Sequence, residues 1–402
     1  MRLLNNIKTK IFSYSPYEIQ SLNGLRALAI IMVIIHHSKE VLKLVEGHDE
    51  RAYWFAESLF TGVDLFFILS GFLISLKIYD EIKKTGKLNF RDFYIKRTFR
   101  IFPAYYFYLI ISLLLINGMI QHQASINAGK MLPEGEEALA SLLELRNAIR
   151  FDFLYLSNYF DGAFFHTWSL AVEEQFYIIF PLAAALLFVR LKDKKRIYVF
   201  VVLYFLPAVF RAIAWYNDVP YMDVYKQLHY RFDSLILGVI IMLLYREWNL
   251  AALFDNKSYR TAAGVAAVIG IYILTFLTIR RDQSFAGMVV MYNLYDLSMA
   301  ILFVMALSSK NGIVSLMSSG LFRSVARLSY TMYLWHFVVG LKGYSMYAGN
   351  IRSGSITYGI YASGLLYSLV YIFIFAVVLF TIVEYPFDML KKRILDRKKS
   401  VI

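Results

Sequence analysis

The sequence predicts an all-α, polytopic integral membrane protein with about ten transmembrane helices. Of its 402 residues, 59% are hydrophobic and 18% are charged, whereas a soluble domain is roughly 45–50% apolar and about 25% charged. The apolar residues fall in repeated runs of about 20, the length that spans a bilayer. This composition excludes a soluble enzyme, a secreted disulfide scaffold and a disordered chain.

The absence of cysteine and the excess of basic residues limit the possible chemical mechanisms and binding partners of the protein. With no cysteine, the chain forms no disulfide, no thiolate metal site and no cysteine-bound acyl intermediate. The formal net charge of +13 would indicate nucleic-acid binding in a soluble protein. In a membrane protein we interpret the lysines and arginines as topology signals facing the cytoplasm, and we expect membrane lipids rather than nucleic acid as partners.

Ten apolar stretches are candidates for spanning helices. They are 20–40, 58–79, 103–120, 168–189, 197–215, 231–246, 260–279, 286–308, 323–343 and 359–384. Segment 139–160 is excluded because it carries four charged residues, and we predict an interfacial or re-entrant piece there. Segment 88–102 predicts a basic amphipathic approach to the third span. The first apolar run lacks a signal-peptide cleavage site, so we expect it to remain as the first span.

The distribution of basic residues predicts that both termini lie in the cytoplasm. In that orientation 28 of the 42 lysines and arginines face the cytoplasm and 13 face the other side, with Arg26 inside a span. The acidic loop 121–167 then faces outward. No connection exceeds about 50 residues, so we expect one membrane domain over residues 1–402.

The first predicted span carries Arg26, His36 and His37, and an ionisable residue at membrane depth marks function by default. Eleven helical steps rotate about 1,100°, within about 20° of three full turns. Arg26 and His37 should therefore share one helix face, about 16 Å apart along the axis. His36 falls off that face, and we expect it to pack or cap.

The second predicted span combines small residues with one buried acid. Ser70, Gly71 and Ser75 predict close helix approach. Asp64 shares a face with Gly71, and packing does not explain it. A carboxylate there could hold a histidine in one tautomer.

Basic residues precede the third span, where Lys96, Arg97 and Arg100 lie near the depth of lipid phosphates. Two interpretations remain open. These cations could anchor lipid headgroups, or they could clamp the phosphates of an anionic cytosolic ligand.

The fourth span opens with His166, Trp168, Glu173 and Glu174. Two adjacent glutamates entering an apolar helix are a poor structural choice. His166 and Glu173 are seven residues apart, a spacing that could bind metal, but no third ligand is convincing and we expect no metal. Glu173 or Glu174 is a candidate general acid or base, or a group that orients a histidine.

The later spans carry further ionisable and aromatic residues. They are Arg231 and Asp233 in the sixth span, Arg327, Ser329, Tyr330, Tyr333, Trp335 and His336 in the ninth, and Glu384 at the end of the tenth. Tyr333 and His336 are neighbours on a helix surface, whereas Arg327 lies on the opposite side. Taken alone, each residue favours a structural role over a catalytic one.

Together these stretches resemble the acyltransferase 3 family of membrane acyltransferases. The matching pieces cover almost the whole chain and keep the order of the family. They are Leu25-Arg26-Ala27 with His37, GVDLFFILSGFLI from Gly62, Arg97 through Pro103, TWSLAVEEQFYIIFP after His166, Arg231-Phe232-Asp233 through Gly238, LSYTMYLWH ending at His336, and Glu384-Tyr385-Pro386.

The resemblance implies a ten-helix enzyme of the bacterial cytoplasmic membrane. Such an enzyme takes an acyl group, commonly acetyl, from cytosolic acyl-CoA to a hydroxyl of an extracytoplasmic or lipid-linked glycan, or of another small molecule. It also implies that Arg26 and His37 are the functional pair of the first helix. Some members carry an extra helix and an esterase-like domain. This sequence stops at Ile402, so we expect direct transfer within the membrane domain or transfer to a separate partner.

The mechanism expected from these residues places cations inside and imidazole and carboxylate outside. Arg26, Arg97, Arg100 and Arg327 would hold the phosphates of acetyl-CoA or another acyl-CoA. His37 would act as base or nucleophile, with a carboxylate fixing its tautomer. The candidates for that carboxylate are Glu173, Glu174 and Asp64, and the candidates for lining the tunnel are Ser70, His166, Trp168, Tyr330, Tyr333 and His336.

A transporter or flippase for an anionic or glycan substrate is the alternative, because membrane-embedded charges also mark transport. The absence of a two-fold hydropathy repeat and the clustering of basic residues on one side favour the acyltransferase. The acceptor, the acyl chain, a covalent acyl-enzyme and the oligomeric state are not predicted.

Overall fold

The computed structural model describes residues 2–16, 18–43, 49–129, 133–191, 193–277, 282–308, 312–340 and 357–396. These residues form α-helices joined by short turns, and among them there is no β-strand. Six described stretches are long and apolar enough to cross a membrane, as expected of a multi-pass membrane protein. They are Glu50–Thr85, Phe90–Asn127, Thr167–Arg190, Lys194–Tyr216, Ala286–Leu307 and Tyr358–Asp396.

The first eleven helices run from the N-terminus to the middle of the chain. They are α1 (Arg2–Phe12), α2 (Gln20–Leu42), α3 (Glu50–Ser58), α4 (Gly62–Thr85), α5 (Phe90–Gly129), α6 (Pro133–Phe153), α7 (Thr167–Arg190), α8 (Asp193–Tyr216), α9 (Tyr221–Lys226), α10 (Leu228–Arg231) and α11 (Asp233–Trp248).

Six more helices follow in the part of the chain that the structure describes. They are α12 (Lys257–Leu277), α13 (Met291–Leu307), α14 (Gly312–Met317), α15 (Gly320–Trp335), α16 (Tyr358–Leu379) and α17 (Tyr385–Asp396). Three π-helical turns accompany them, Ala286–Val290 before α13, His336–Gly340 after α15 and Phe380–Glu384 after α16.

Each of the ten predicted spans coincides with one of these helices. Four of them, α2, α11, α12 and α15, are not among the six stretches that meet the length and composition criterion. The last residues of predicted spans 260–279 and 323–343 lie outside the described residues. The helices themselves are therefore confirmed, and the number that cross the bilayer stays a prediction.

The third predicted span is part of a longer helix than the sequence indicated. Helix α5 has 40 residues and is about 60 Å long, twice the roughly 30 Å hydrocarbon core. The basic approach segment 88–102 continues into the span without a break, with Pro103 inside the helix. The predicted outward loop 121–167 is therefore helical up to Gly129 and again over Pro133–Phe153.

The excluded segment 139–160 lies largely in helix α6, which packs along α5. The hydroxyl of Tyr105 donates to the carbonyl oxygen of Asp152 over 2.8 Å, and that of Tyr106 donates to Phe153 over 3.2 Å. Helix α6 is not among the six apolar stretches. The prediction that this segment does not form an ordinary span agrees with that finding.

Glycines bring α4 and α11 into direct backbone contact. A Cβ at Gly71 would collide with the backbone oxygen of Leu235, and a Cβ at Gly238 would collide with the backbone oxygen of Ile68. Only a residue without a side chain permits this approach. The interpretation of Gly71 as a close-packing residue is confirmed.

Helix α2 lies between α4 and α15, and α4 also packs against α7 and α11. Helix α5 also contacts α15. Five helices, α2, α4, α5, α7 and α15, therefore surround the space in which the predicted site residues converge.

Candidate active site

One cavity collects most of the predicted site residues, and we call it the arginine cavity. It has about 810 Å³ of empty space, including its open mouth. Its lining residues are Arg26, Val63, Phe66, Phe67, Ser70, Arg97, Arg100, Ile101, Ser169, Leu170, Glu173, Glu174, Ala326, Ser329, Tyr330 and Tyr333. Apolar walls with a few convergent polar groups are typical of a small-molecule site.

Three guanidinium groups face this cavity, and they differ in their partners. Arg97 lies 3.5 Å from Glu173 and stacks over the Tyr177 ring at 3.3 Å. Arg100 lies 3.4 Å from Glu384. Within the described part of the chain, Arg26 has neither a hydrogen-bond nor an ion-pair partner. The cavity therefore holds a cation that no described residue neutralises.

The two adjacent glutamates have different environments at the cavity wall. Glu173 accepts hydrogen bonds from the hydroxyls of Ser70 and Tyr177 in addition to its contact with Arg97. Glu174 also lines the cavity but forms no hydrogen bond to any described residue. Glu173 is therefore held in place, whereas Glu174 keeps its acceptor capacity.

A second cavity, which we call the histidine cavity, lies toward the other end of α2 and α15. It has about 400 Å³ of empty space. Its lining residues are Ile34, His37, Ser38, Val41, His336, Phe337, Gly340, Leu365 and Ser368. His37 and His336 thus meet here, one from each helix. Their ring nitrogens, His37 Nδ1 and His336 Nε2, are 2.9 Å apart.

A buried layer of polar groups separates the two cavities. The hydroxyl of Tyr333, which lines the arginine cavity, donates to the carbonyl oxygen of His166 over 2.9 Å and shares a 2.5 Å hydrogen bond with Ser169. The ring of His166 in turn lies 5.3 Å from the ring of His336, between centroids. His166 is therefore buried between the cavities and lines neither of them.

The two neighbouring histidines of α2 lie in different environments, as their helical spacing predicts. His36 Nδ1 lies 3.3 Å from the carbonyl oxygen of Ala56, and its Nε2 lies 3.3 Å from Lys39. Both ring nitrogens of His36 are thus engaged in polar contacts within the protein. His37, and not His36, lines a cavity.

The prediction of a carboxylate partner for His37 is wrong. Its ring contacts His336, while Asp64 pairs with Arg231 and also lies 3.3 Å from the Ser234 hydroxyl. Asp64 is the counter-ion of Arg231, because a fully buried arginine requires one. Glu173 and Glu174 line the other cavity.

The Asp64–Arg231 pair belongs to a larger buried ionic cluster behind the arginine cavity. Arg211 pairs with Asp233 over 2.7 Å, and Asp296 accepts from Ser234 over 2.7 Å. Sequence reasoning missed Arg211 and Asp296. Each lies inside a predicted span, which is itself the signal that could have found them.

Two further predicted site residues lie outside both cavities. The ring of Trp168 covers the guanidinium of Arg231 at 5.4 Å, within the ionic cluster. Arg327 donates to the carbonyl oxygens of Lys10 and Ser13 and pairs with Glu18 over 3.0 Å. Arg327 therefore binds the N-terminal segment and does not line the arginine cavity, so the prediction that it holds acyl-CoA phosphates is wrong.

The described residues contain no group of three or more histidines, aspartates or glutamates arranged to hold a metal ion. The two cavities are lined by guanidinium, carboxylate, hydroxyl and imidazole groups among apolar side chains.

Comparisons with known proteins identify relatives that are named O-acetyltransferases. The O-acetyltransferase OatA of Staphylococcus aureus strain NCTC 8325 is 27% identical over 334 residues, which are 81% of this chain and 51% of the relative. A protein of strain COL, provisionally named an O-acetyltransferase, is 28% identical over 351 residues, 83% of this chain and 52% of its own. The chain thus spans about half the length of these curated relatives.

No solved structure gives a significant match to the chain. The acyltransferase 3 family model, described as an acyltransferase domain, matches residues 19–389. That range includes both cavities and the ionic cluster. The chain belongs to the acyltransferase 3 family.

Proposed function

We propose that this chain transfers an acyl group, which we take to be acetyl, from cytosolic acyl-CoA to a hydroxyl of a cell-surface or lipid-linked glycan. Membership of the family and relatives named O-acetyltransferases support acyl transfer. The proposal includes ten spanning helices, both termini in the cytoplasm, a single membrane domain over 1–402 and a place in the bacterial cytoplasmic membrane.

The unpartnered Arg26 is the observation that carries the donor assignment. A half-buried cation at membrane depth without a counter-ion is costly, and a ligand with phosphates would supply the missing negative charge. Arg97 and Arg100 face the same cavity and are held by carboxylates through contacts of 3.5 and 3.4 Å, too long for strong pairing. In the proposed orientation this cavity lies toward the cytoplasm, where acyl-CoA is found.

Helix α2 links the donor site to the acceptor side. Arg26 lines the arginine cavity and His37 lines the histidine cavity, and eleven residues separate them by about 16 Å along the axis. The phosphates of acyl-CoA would rest on the arginines while its extended pantetheine arm points along α2 and displaces the polar layer between the two cavities. The thioester would then approach His37, and the glycan hydroxyl would reach it from the outer side.

The chemical step follows from these positions. His37 accepts the proton of the glycan hydroxyl as the oxygen attacks the thioester carbonyl. The resulting tetrahedral intermediate breaks its carbon–sulfur bond, which leaves the acyl group on the glycan oxygen. The proton held by His37 passes to the departing CoA sulfur, so the enzyme returns to its starting state.

The test measures CoA release by purified protein in nanodiscs supplied with acetyl-CoA, with water or added lipid-linked glycan as acceptor. Because the chain contains no cysteine, a thiol reagent detects released CoA without background from the protein. We expect His37→Ala to lower the rate at least about 100-fold, the usual contribution of a general base. We expect Arg26→Ala to weaken acetyl-CoA binding at least about tenfold, the loss of one charge-assisted hydrogen bond.

Arg246→Ala is the matched control for Arg26, since Arg246 pairs with Asp80 and is 40% exposed, away from both cavities. It should leave donor binding unchanged. Unchanged acetyl-CoA affinity in Arg26→Ala would remove the donor assignment, and full CoA release by His37→Ala would remove the catalytic one. Acetyl-CoA binding without CoA release, with every acceptor, would favour the transporter.

A further inference from the structure

The two histidines of the histidine cavity form a directed chain of hydrogen bonds. His336 Nδ1 lies 2.5 Å from the carbonyl oxygen of Tyr333, and His336 Nε2 lies 2.9 Å from His37 Nδ1. A carbonyl oxygen can only accept, so the hydrogen of that bond belongs to His336 Nδ1. In a neutral imidazole the second nitrogen is then an acceptor.

This direction determines the tautomer of His37. Because His336 Nε2 accepts, His37 Nδ1 must donate and therefore carries the hydrogen. His37 Nε2 is left with its lone pair, and it has no hydrogen-bond partner among the described residues. A base needs one free ring nitrogen, and the hydrogen bond on the other nitrogen selects it.

The backbone holds this chain in place. Helix α15 ends at Trp335 and changes to a π-helical turn over His336–Gly340, a distortion that is frequent at functional sites. The rings of His166 and Phe337 lie 5.3 and 4.7 Å from that of His336. His336 is 4% exposed, so its ring has little freedom to turn.

We propose that His336 is a positioning residue that fixes His37 as the Nδ1–H tautomer and aims its Nε2 lone pair at the acceptor hydroxyl. The inference rests on the proposed function, in which His37 is the base. It assigns to an uncharged imidazole the orienting role that a carboxylate commonly has in catalytic histidine pairs.

Two substitutions of His336 separate hydrogen bonding from packing. In His336→Gln the amide oxygen can take the acceptor position of Nε2, whereas His336→Leu fills similar space without an acceptor. We expect His336→Leu to lower kcat for CoA release about 100-fold or more, with KM for acetyl-CoA within about twofold. We expect His336→Gln to restore kcat to within about tenfold of wild type. His229→Gln, a change outside both cavities, is the control.

The outcomes also separate this inference from the proposed function. Full activity of His336→Leu together with an inactive His37→Ala would overturn the positioning role alone. Equal loss in folded His336→Leu and His336→Gln would also overturn it, because the acceptor would then not matter. Full activity of His37→Ala would overturn the proposed function itself.

A measurement on the wild-type protein covers the case in which His336→Leu does not fold. Imidazole nitrogen chemical shifts of ¹⁵N-histidine-labelled protein distinguish the two neutral tautomers, and His37→Gln identifies the signal that belongs to His37. We expect the Nδ1–H form. The Nε2–H form at His37 would overturn the inference whatever the variants do.

Discussion

The two faces of helix α4 border arginines in different states of pairing. On the face toward α11, Asp64 pairs with Arg231, and both side chains are no more than 3% exposed. Arg231 also donates to the carbonyl oxygen of Tyr225 over 2.9 Å. On the other face, Ser70 lies at the wall of the arginine cavity, across which Arg26 has no partner among the described residues. One helix thus borders a compensated and an uncompensated arginine.

This contrast provides a criterion for separating structural from functional charges inside a membrane protein. A buried charge that the fold neutralises contributes to a unique packing. Removing its partner leaves an unpaired charge in a region of low dielectric constant, which destabilises the folded protein. A charge that the fold leaves unneutralised is costly in the free protein, so a ligand explains its presence better than stability does. Both Arg26 and Arg231 lie in the range that the family model matches, so membership of the family alone does not distinguish them.

The largest expected effect comes from breaking the compensated face. We expect Arg231→Ala to cost about 3–5 kcal/mol of folding free energy because Asp64 is left buried and unpaired. The measurement is the yield of monodisperse protein and its melting temperature in detergent. The double variant Asp64→Leu with Arg231→Met should recover part of the loss. A stable Arg231→Ala protein would contradict the distinction drawn between the two faces.

A smaller effect of opposite sign is expected at the uncompensated face. Arg26→Gln should keep or raise the melting temperature of the protein without ligand, since it removes a charge that lacks a partner. Added acetyl-CoA should raise the melting temperature of wild type but raise that of Arg26→Gln much less, because binding to the folded state stabilises it. A large loss of stability in Arg26→Gln without ligand would show that Arg26 has a structural partner.

The smallest effect is expected inside the ionic cluster itself. Asp296 is 1% exposed, accepts from Ser234 over 2.7 Å and has no ion-pair partner among the described residues. We therefore expect Asp296→Asn to change the folding free energy by less than about 1 kcal/mol. Asp64→Asn in the same cluster should cost several times more, because Arg231 loses its counter-ion. Equal melting temperatures for the two variants would contradict this ranking.

The sequence alone was enough to locate the helices and to identify several polar residues that line the arginine cavity. Runs of apolar residues locate the helices because each must hide its backbone polar groups from lipid. The residues Arg26, Ser70, Arg97 and Glu173 were identifiable because a polar group at membrane depth needs a reason to be there. The spacing of Arg26 and His37 followed from the helical repeat alone.

The contacts between these groups, by contrast, depend on the tertiary structure. It gave Asp64 to Arg231 rather than to a histidine, brought His336 to His37, and turned Trp168 and Arg327 away from both cavities. The physical reason is that the periodicity of a helix defines its own faces but not its rotation, tilt or depth relative to its neighbours. Those are set by packing between helices, such as the backbone contact at Gly71 and Gly238.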